Sequence, residues 1–249
     1  MIDSYVTDRR LSGNTLKIIA AITMLIDHIG VILLPDVPLL RVIGRLAFPI
    51  YAFMIAEGCA YTRNKLRYFL SVFLLGAACQ IVYAIYDSDV YLGILITFSL
   101  SILVIYAMQF WKDVVFSSAS GLVKKCAATA LLIASIAGVY LLSDNVQMDY
   151  GFWGAMVPVS ASILRKPAAV SSEFWEKIDQ HIVRVVVMGV GLILVPSFSG
   201  SVQMYSLLSL PLLLIYSGKR GKANLKYFFY IFYPLHLAAL QGIAWLLYS

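Results

Sequence analysis

Apolar residues gather in nine stretches along the chain, at roughly residues 16–34, 46–62, 67–86, 91–111, 126–142, 150–164, 182–196, 202–217 and 226–248. Within each stretch the hydrophobicity is continuous and does not alternate residue by residue, which excludes a β-barrel and points to helices. Most stretches approach the roughly 20 residues that an α-helix needs to cross a 30 Å hydrocarbon core; the sixth to eighth are shorter. The pattern predicts an all-α fold, a polytopic integral membrane helical bundle of about nine transmembrane helices. No linker and no internal repeat divides the chain, so a single domain over residues 1–249 is expected. Residues 171–184 (SSEFWEKIDQHIVR) predict a short amphipathic helix at the membrane surface, capped by Ser171 or Ser172, with Phe174, Trp175, Ile178 and Ile182 on one face. His181 falls on that helix as a solvated or interfacial residue.

The polar segments between the stretches alternate in charge. One set holds Arg9, Arg10 and Lys17; Arg63, Lys65 and Arg67; Lys112, Lys124 and Lys125; Arg165, Lys166, Lys177 and Arg184; and Lys219, Arg220, Lys222 and Lys226. Of the 19 basic residues only Arg41 and Arg45 fall on the other side, where Asp36, Asp87, Asp89, Asp144 and Asp149 collect. The positive-inside rule then predicts a cytoplasmic N-terminus and a C-terminus outside. The first stretch lacks a small-residue cleavage site and reads as a signal anchor.

Composition agrees with this picture. The chain is 61% hydrophobic and 13% charged, against about 25% charged residues in a soluble domain. A net charge of +6 could suggest a nucleic-acid partner, but topology already accounts for where the cations lie, and no nucleic acid is expected. The three cysteines, Cys59, Cys79 and Cys126, form no CxxC pair and no metal-ligand set.

Ionisable residues inside the apolar stretches are the candidates for chemistry, because each costs about 2.5–3.5 kcal/mol on insertion scales. The first stretch, LKIIAAITMLIDHIGVILL, carries Lys17 near its start and Asp27 and His28 deep within it. Lys17 and His28 are eleven residues apart, about three helical turns, and so share a face; Asp27 points about 100° away from His28. A neutral histidine suits the removal of a proton from an attacking hydroxyl or amine. Asp27 could orient it only if the helix departs from regular geometry. Glu57 lies in the second stretch, below Pro49, which is expected to bend the helix, and Arg45 stands at its outer start. Glu57 can act chemically or pair with another buried charge, and Arg45 can do the same or snorkel to the surface. The last stretch places His236 about 15 Å from its cytoplasmic end, with Tyr233 one turn away. The basic clusters Arg63, Lys65 and Arg67 and Lys219, Arg220 and Lys222 can grip an anionic cofactor such as coenzyme A, or can simply satisfy the positive-inside rule.

Several segments resemble, in order, the TraX family of bacterial membrane proteins associated with N-acetylation of conjugal pilin. They are LKIIAAITMLIDHIG (16–30), GRLAFPIYAFMIAEG (44–58), YTRN with KLRYFL (61–70), DYGFWGAMVPV (149–159), QMYSLLSLPLLLIYSGKRG (203–221) and KYFFYIFYPLHL (226–237). The resemblance implies a multi-pass protein of the bacterial inner membrane that transfers an acetyl group from cytoplasmic acetyl-CoA, with no metal. Polytopic acyltransferases more loosely similar to this family carry a basic residue eleven positions before a first-span histidine. That residue is usually arginine; Lys17 keeps the charge without the bidentate fork.

Combined with the residue reading, the resemblance implies Lys17, Arg63, Lys65, Arg67, Lys219, Arg220 and Lys222 as cofactor-binding and His28, Asp27 and Glu57 as catalytic. Arg45, Asp149, Tyr233 and His236 are expected to support the substrate, Asp149 by attracting a cationic amine. A pantetheine arm of roughly 15–20 Å when extended could run along the first helix to His28. The expected acceptor is a peptide or pilin N-terminus, with a sugar or lipid headgroup open, and membrane lipid is the surrounding partner. Two further readings stand beside this one: a transporter or lipid flippase that uses the intramembrane charges as proton or substrate sites, and a membrane scaffold without catalysis.

Overall fold

A computed structural model describes residues 11–86, 91–168, 172–195 and 201–248; Arg9, Arg10, Asp87, Asp89 and Ser171 of the patterns above lie outside them. The fold is all-α, and each predicted apolar stretch carries helix. The elements are α1 (Gly13–Ile32), α2 (Pro38–Gly44), α3 (Ala47–Tyr61), α4 (Lys65–Tyr86), β1 (Tyr91–Leu92), α5 (Ile94–Val115), α6 (Leu122–Asn145), β2 (Gln147–Met148), α7 (Gly151–Ser162), α8 (Glu173–Ile178), α9 (His181–Leu194), a 3-10 helix (Ser201–Ser209), α10 (Leu210–Leu214) and α11 (Lys226–Tyr248). Among the described residues, five helical stretches are long and apolar enough to cross a membrane: Gly13–Ile32, Pro38–Tyr61, Ile94–Val115, Leu122–Asn145 and Tyr227–Leu247. Contacts divide the chain into a terminal unit (Met1–Met54 with Pro196–Ser249) and a central unit (Ile55–Val195).

In the terminal unit α1 packs on α2 and α11, and α2 packs on the 3-10 helix. The first N–H groups of a helix have no partner within it, and at α1 they are answered by the chain and by a distant loop. Ser12 Oγ accepts from the Thr15 amide at 3.2 Å. The Gly13 and Asn14 amides donate to the carbonyls of Lys219 and Arg220 at 2.8 and 2.9 Å, and the Asn14 side chain donates to the Ala223 carbonyl at 2.6 Å. Gly221 adopts φ +94°, and a Cβ there would press on Ser12 and Asn14, so the loop can seat on α1 only with glycine at this position. Gly44 allows a second close approach: a Cβ on it would fall on the Asp27 side chain.

Pro49 sits in the first turn of α3, where its missing N–H leaves no helical bond unmade. The bend expected from it is therefore not required. The eighth apolar stretch is not an α-helix at its start. Nine residues of 3-10 helix followed by the five of α10 reach about 25 Å at 2.0 and 1.5 Å per residue, farther than the same residues would as α-helix.

In the central unit α5 packs against α4, α6 and α7, and α7 packs against α9. Small polar residues join these helices: Ser101 donates to the Ala155 carbonyl at 2.7 Å, and Trp111 Nε1 donates to Thr129 Oγ1 at 3.0 Å. Such residues let helices approach and bond where lipid supplies neither donor nor acceptor. The outer helix α6 buries only Ala128 and Val139 and leaves Leu131, Ile133 and Leu141 exposed, as suits a face solvated by lipid. The surface helix is shorter than predicted. It ends at Ile178, its neighbour Asp179 binds the Lys166 amide at 2.9 Å, and His181 begins α9 as a buried residue. Phe174 is exposed while Trp175 is buried. All three cysteines are free, Cys126 on the exposed face of α6.

Lys112 closes the end of α7. It is buried, and its ammonium donates to the carbonyls of Ser162, Ile163 and Arg165 at 3.1, 2.6 and 3.1 Å while lying over the Trp175 ring. Lys112→Met should therefore lower unfolding free energy by about 2–4 kcal/mol, since orphaned buried carbonyls cost about 1–3 kcal/mol each. Thermal unfolding of the purified protein in detergent measures this, and an unchanged midpoint would rule out the closing role.

Candidate functional site

Three groups of predicted residues come together in the terminal unit. The first is an imidazole pair. His28 on α1 and His236 on α11 place Nδ1 and Nε2 3.0 Å apart, and His236 Nδ1 lies 2.8 Å from the carbonyl of Phe232, one turn back on its own helix. A carbonyl only accepts, so His236 Nδ1 carries the proton and donates. In the neutral ring His236 Nε2 then accepts, and the donor facing it is His28 Nδ1–H. By valence His28 Nε2 is left as the lone-pair nitrogen. The His236 ring is fixed further by stacking on Phe232 (centroids 4.9 Å, 8° between planes) and by an edge contact with Tyr233 at 5.8 Å.

The second group is a charge clamp beside that pair. Asp27 accepts from Arg41 Nη1 at 2.7 Å, and both of its oxygens accept from Arg45 Nη2, at 2.8 and 2.9 Å. Arg45 also donates through Nη1 to Gln203 Oε1 at 3.0 Å. The clamp ties α1, α2 and the 3-10 helix into one polar centre. Asp27 is thus turned to arginines, and His28 meets an imidazole from α11 and the Met24 carbonyl one turn back on its own helix. Arg45 lies inward in this network, with its side chain only 12% exposed, so it does not snorkel.

The third group is a basic rim. The loop seated on the start of α1 carries Lys219, Arg220 and Lys222, all exposed. Lys17, on the second turn of α1, lies within electrostatic reach of Arg220. His28 follows Lys17 by about 16 Å along the same helix.

The remaining predicted residues belong to the central unit. Glu57 is buried and accepts from Arg184 Nη1 at 2.8 Å and from Arg165 Nη2; Arg184 Nε also faces Asp179 at 3.3 Å. Of the two readings left open for Glu57, the observed one is pairing with buried charge. Asp149 accepts a hydrogen bond from the Tyr91 hydroxyl, and its amide donates to the Leu92 carbonyl at 2.9 Å, where β1 and β2 pair in parallel. Arg63 and Arg67 are exposed at the start of α4, which Asn64 caps by accepting from the Arg67 amide at 2.8 Å. Lys65 lines a cavity of about 210 Å³ together with Lys112, Arg165 and Lys166, against the carboxylates of Asp113 and Asp179. The sequence reading missed this pocket. Its signal was available: Arg165 and Lys166 directly follow an apolar stretch, and a buried Glu57 demands cations from elsewhere in the fold. Among the described residues, no three His, Cys, Asp or Glu side chains are arranged to hold a metal ion.

The fold and these intramembrane polar centres define a helical membrane protein built around buried ionisable groups. The sequence profile described as "TraX protein" matches residues 12–244, and the chain belongs to the TraX family. It is 25% identical, over 92% of its own length and 94% of the other's, to a probable fimbrial assembly protein, FimC of serogroup H1, from Dichelobacter nodosus. A shorter region is 38% identical to the uncharacterized protein RP591 of Rickettsia prowazekii (strain Madrid E), covering 26% of this chain and 25% of that protein. No solved structure matches.

Asp27→Asn removes the only anion of the observed clamp from between two arginines. Breaking such a pair costs about 3 kcal/mol, so the variant should unfold at a clearly lower temperature in detergent. A midpoint equal to wild type would show that the clamp does not hold α1, α2 and the 3-10 helix together.

Proposed function

We propose that the protein is a membrane-embedded acetyltransferase that takes an acetyl group from cytoplasmic acetyl-CoA and passes it to an amine or hydroxyl, with His28 as general base. The observation that carries this reading is the directed hydrogen-bond chain from His28 through His236 to the Phe232 carbonyl, which leaves a lone pair on His28 Nε2 inside a membrane helix. An imidazole fixed in that tautomer can take a proton from an incoming nucleophile. His236, accepting from His28 Nδ1–H, stabilises the imidazolium that results. The acyl donor supplies the activated acetyl group.

The basic rim suits the donor's phosphates. Lys219, Arg220 and Lys222 are exposed and Lys17 stands beside them, and the roughly 16 Å from Lys17 to His28 is comparable to an extended pantetheine arm of about 15–20 Å. The pocket around Lys65, Arg165 and Lys166 offers a second set of cations for an anion of the same kind. The membership in a family whose resemblance pointed to pilin acetylation, and a full-length relative named for fimbrial assembly, favour a peptide N-terminus as acceptor. The charge pattern supports nine crossings of the bacterial inner membrane, with the N-terminus in the cytoplasm and the C-terminus outside.

Radiolabel transfer from acetyl-CoA to candidate peptides by the purified protein tests the reading. His28→Ala should reduce transfer about 10²–10⁴-fold, as expected for loss of a general base, and His236→Ala should reduce it by a smaller factor. Equal rates in wild type and His28→Ala would remove His28 from the mechanism. Substrate flux through vesicles without any acyl donor would favour a transporter instead.

A further inference from the structure

The 3-10 helix Ser201–Ser209 runs for nine residues, whereas most such helices stop after three or four. With three residues per turn, side chains at i and i+3 eclipse, so Gln203, Ser206 and Ser209 stand in one row. They are also the inward residues, 2%, 0% and 0% exposed, while Val202, Met204, Tyr205 and Leu208 face outward. An α-helix would fan the same three residues over about 120°; only the tighter winding aligns them.

The hydrogen bonds of this row are unevenly satisfied. Ser209 donates to the Ser206 carbonyl at 2.7 Å. Gln203 uses its oxygen to accept from Arg45, which fixes the orientation of the amide and sends Nε2 away from the guanidinium. Among the described residues, neither Gln203 Nε2 nor Ser206 Oγ has a hydrogen-bond partner. Two buried donors side by side on one row, inside a membrane protein where lipid cannot answer them, call for an acceptor. Through Arg45 the first of them, Gln203, is tied to Asp27, the residue next to His28 on α1.

We propose that Gln203 Nε2–H and Ser206 Oγ–H form a donor pair for the carbonyl oxygen of the acyl group that is transferred, an assignment that rests on the acetyltransferase reading. In that transfer the acceptor nitrogen bonds to the acyl carbon, and the carbon–sulfur bond breaks with its electron pair leaving on sulfur. The proton passes from the nitrogen to His28 Nε2 and from there to the sulfur. Negative charge gathers on the carbonyl oxygen while the new bond forms, and donors already aimed at that oxygen are worth about 10²–10³ in rate. The Arg45 bond to Gln203 Oε1 supplies the pre-orientation.

The test compares Ser206→Ala and Gln203→Glu with wild type in three measurements. These are unfolding temperature without ligand, steady-state acetyl transfer, and the infrared carbonyl stretch of bound acetyl-CoA labelled with ¹³C at the acetyl carbonyl, without acceptor. Ser206→Ala should unfold at or above the wild-type temperature, because it deletes an unanswered buried hydroxyl. Its kcat should fall about 10–100-fold with little change in the donor's KM, and the carbonyl stretch should rise in frequency as the hydrogen bond is lost. Gln203→Glu keeps an oxygen for Arg45 and loses the N–H donors, so it should stay folded and lose at least as much kcat. A lower unfolding temperature in Ser206→Ala would overturn the assignment, because the hydroxyl would then serve a structural partner such as a buried water. Wild-type kcat and carbonyl frequency in both variants would overturn the donor pair while leaving the acetyltransferase reading intact. Absence of transfer by the wild-type protein would overturn both.

Discussion

The terminal unit depends on the fact that a charge among membrane helices must be answered by protein. Asp27 is the anion of that unit's observed clamp, and it is answered twice, by Arg41 and by Arg45. Because Arg45 reaches on to Gln203, the same carboxylate fixes the pitch of α2 against α1 and the approach of the 3-10 helix. Gly44 is part of the same constraint, since any Cβ there would occupy the space of the Asp27 side chain. His28 is the next residue on α1, so its place is set by the packing that the clamp enforces. Its tautomer is set separately, by α11. The division is useful: one network supplies rigidity, and the other leaves a nitrogen lone pair open.

The central unit meets the same constraint in its own way. Glu57 is shared by Arg165 and Arg184, and Lys112 spends its three donors on carbonyls at the end of α7. Charge here holds irregular backbone in place. Lys166 bonds both Glu176 and, through its amide, Asp179, so the surface helix is fixed by polar contacts as much as by Trp175. The Lys166 ammonium holds the Glu176 carboxyl below its ordinary range.

Much of this was legible in the residues. Continuous apolar runs identify the helices, and the intramembrane positions of Asp27, His28, Glu57 and His236 mark the polar centres. The offset of about 100° between Asp27 and His28 already made them poor partners for each other. What sequence could not supply was pairing between distant segments: nothing in KYFFYIFYPLHL says that His236 meets His28. The 3-10 helix was hidden for a different reason. Its signature is the three-residue spacing of Gln203, Ser206 and Ser209, which the hydrophobicity of the surrounding run conceals, because here the polar residues are the ones that point inward. The positive-inside rule accounts for Arg165, Arg184 and Lys112 as loop charges, because it explains a cation without asking whether it is buried.

The direction of the hydrogen bond between the two imidazoles decides whether His28 keeps a free lone pair on Nε2. Nitrogen-15 NMR of histidine-labelled protein in detergent at neutral pH, assigned by substituting each histidine in turn, reports that direction. The predicted result is an Nδ1–H tautomer at both His28 and His236, with a bare Nε2 on His28. An Nε2–H tautomer at His28 would reverse the chain, remove the open base, and contradict the account.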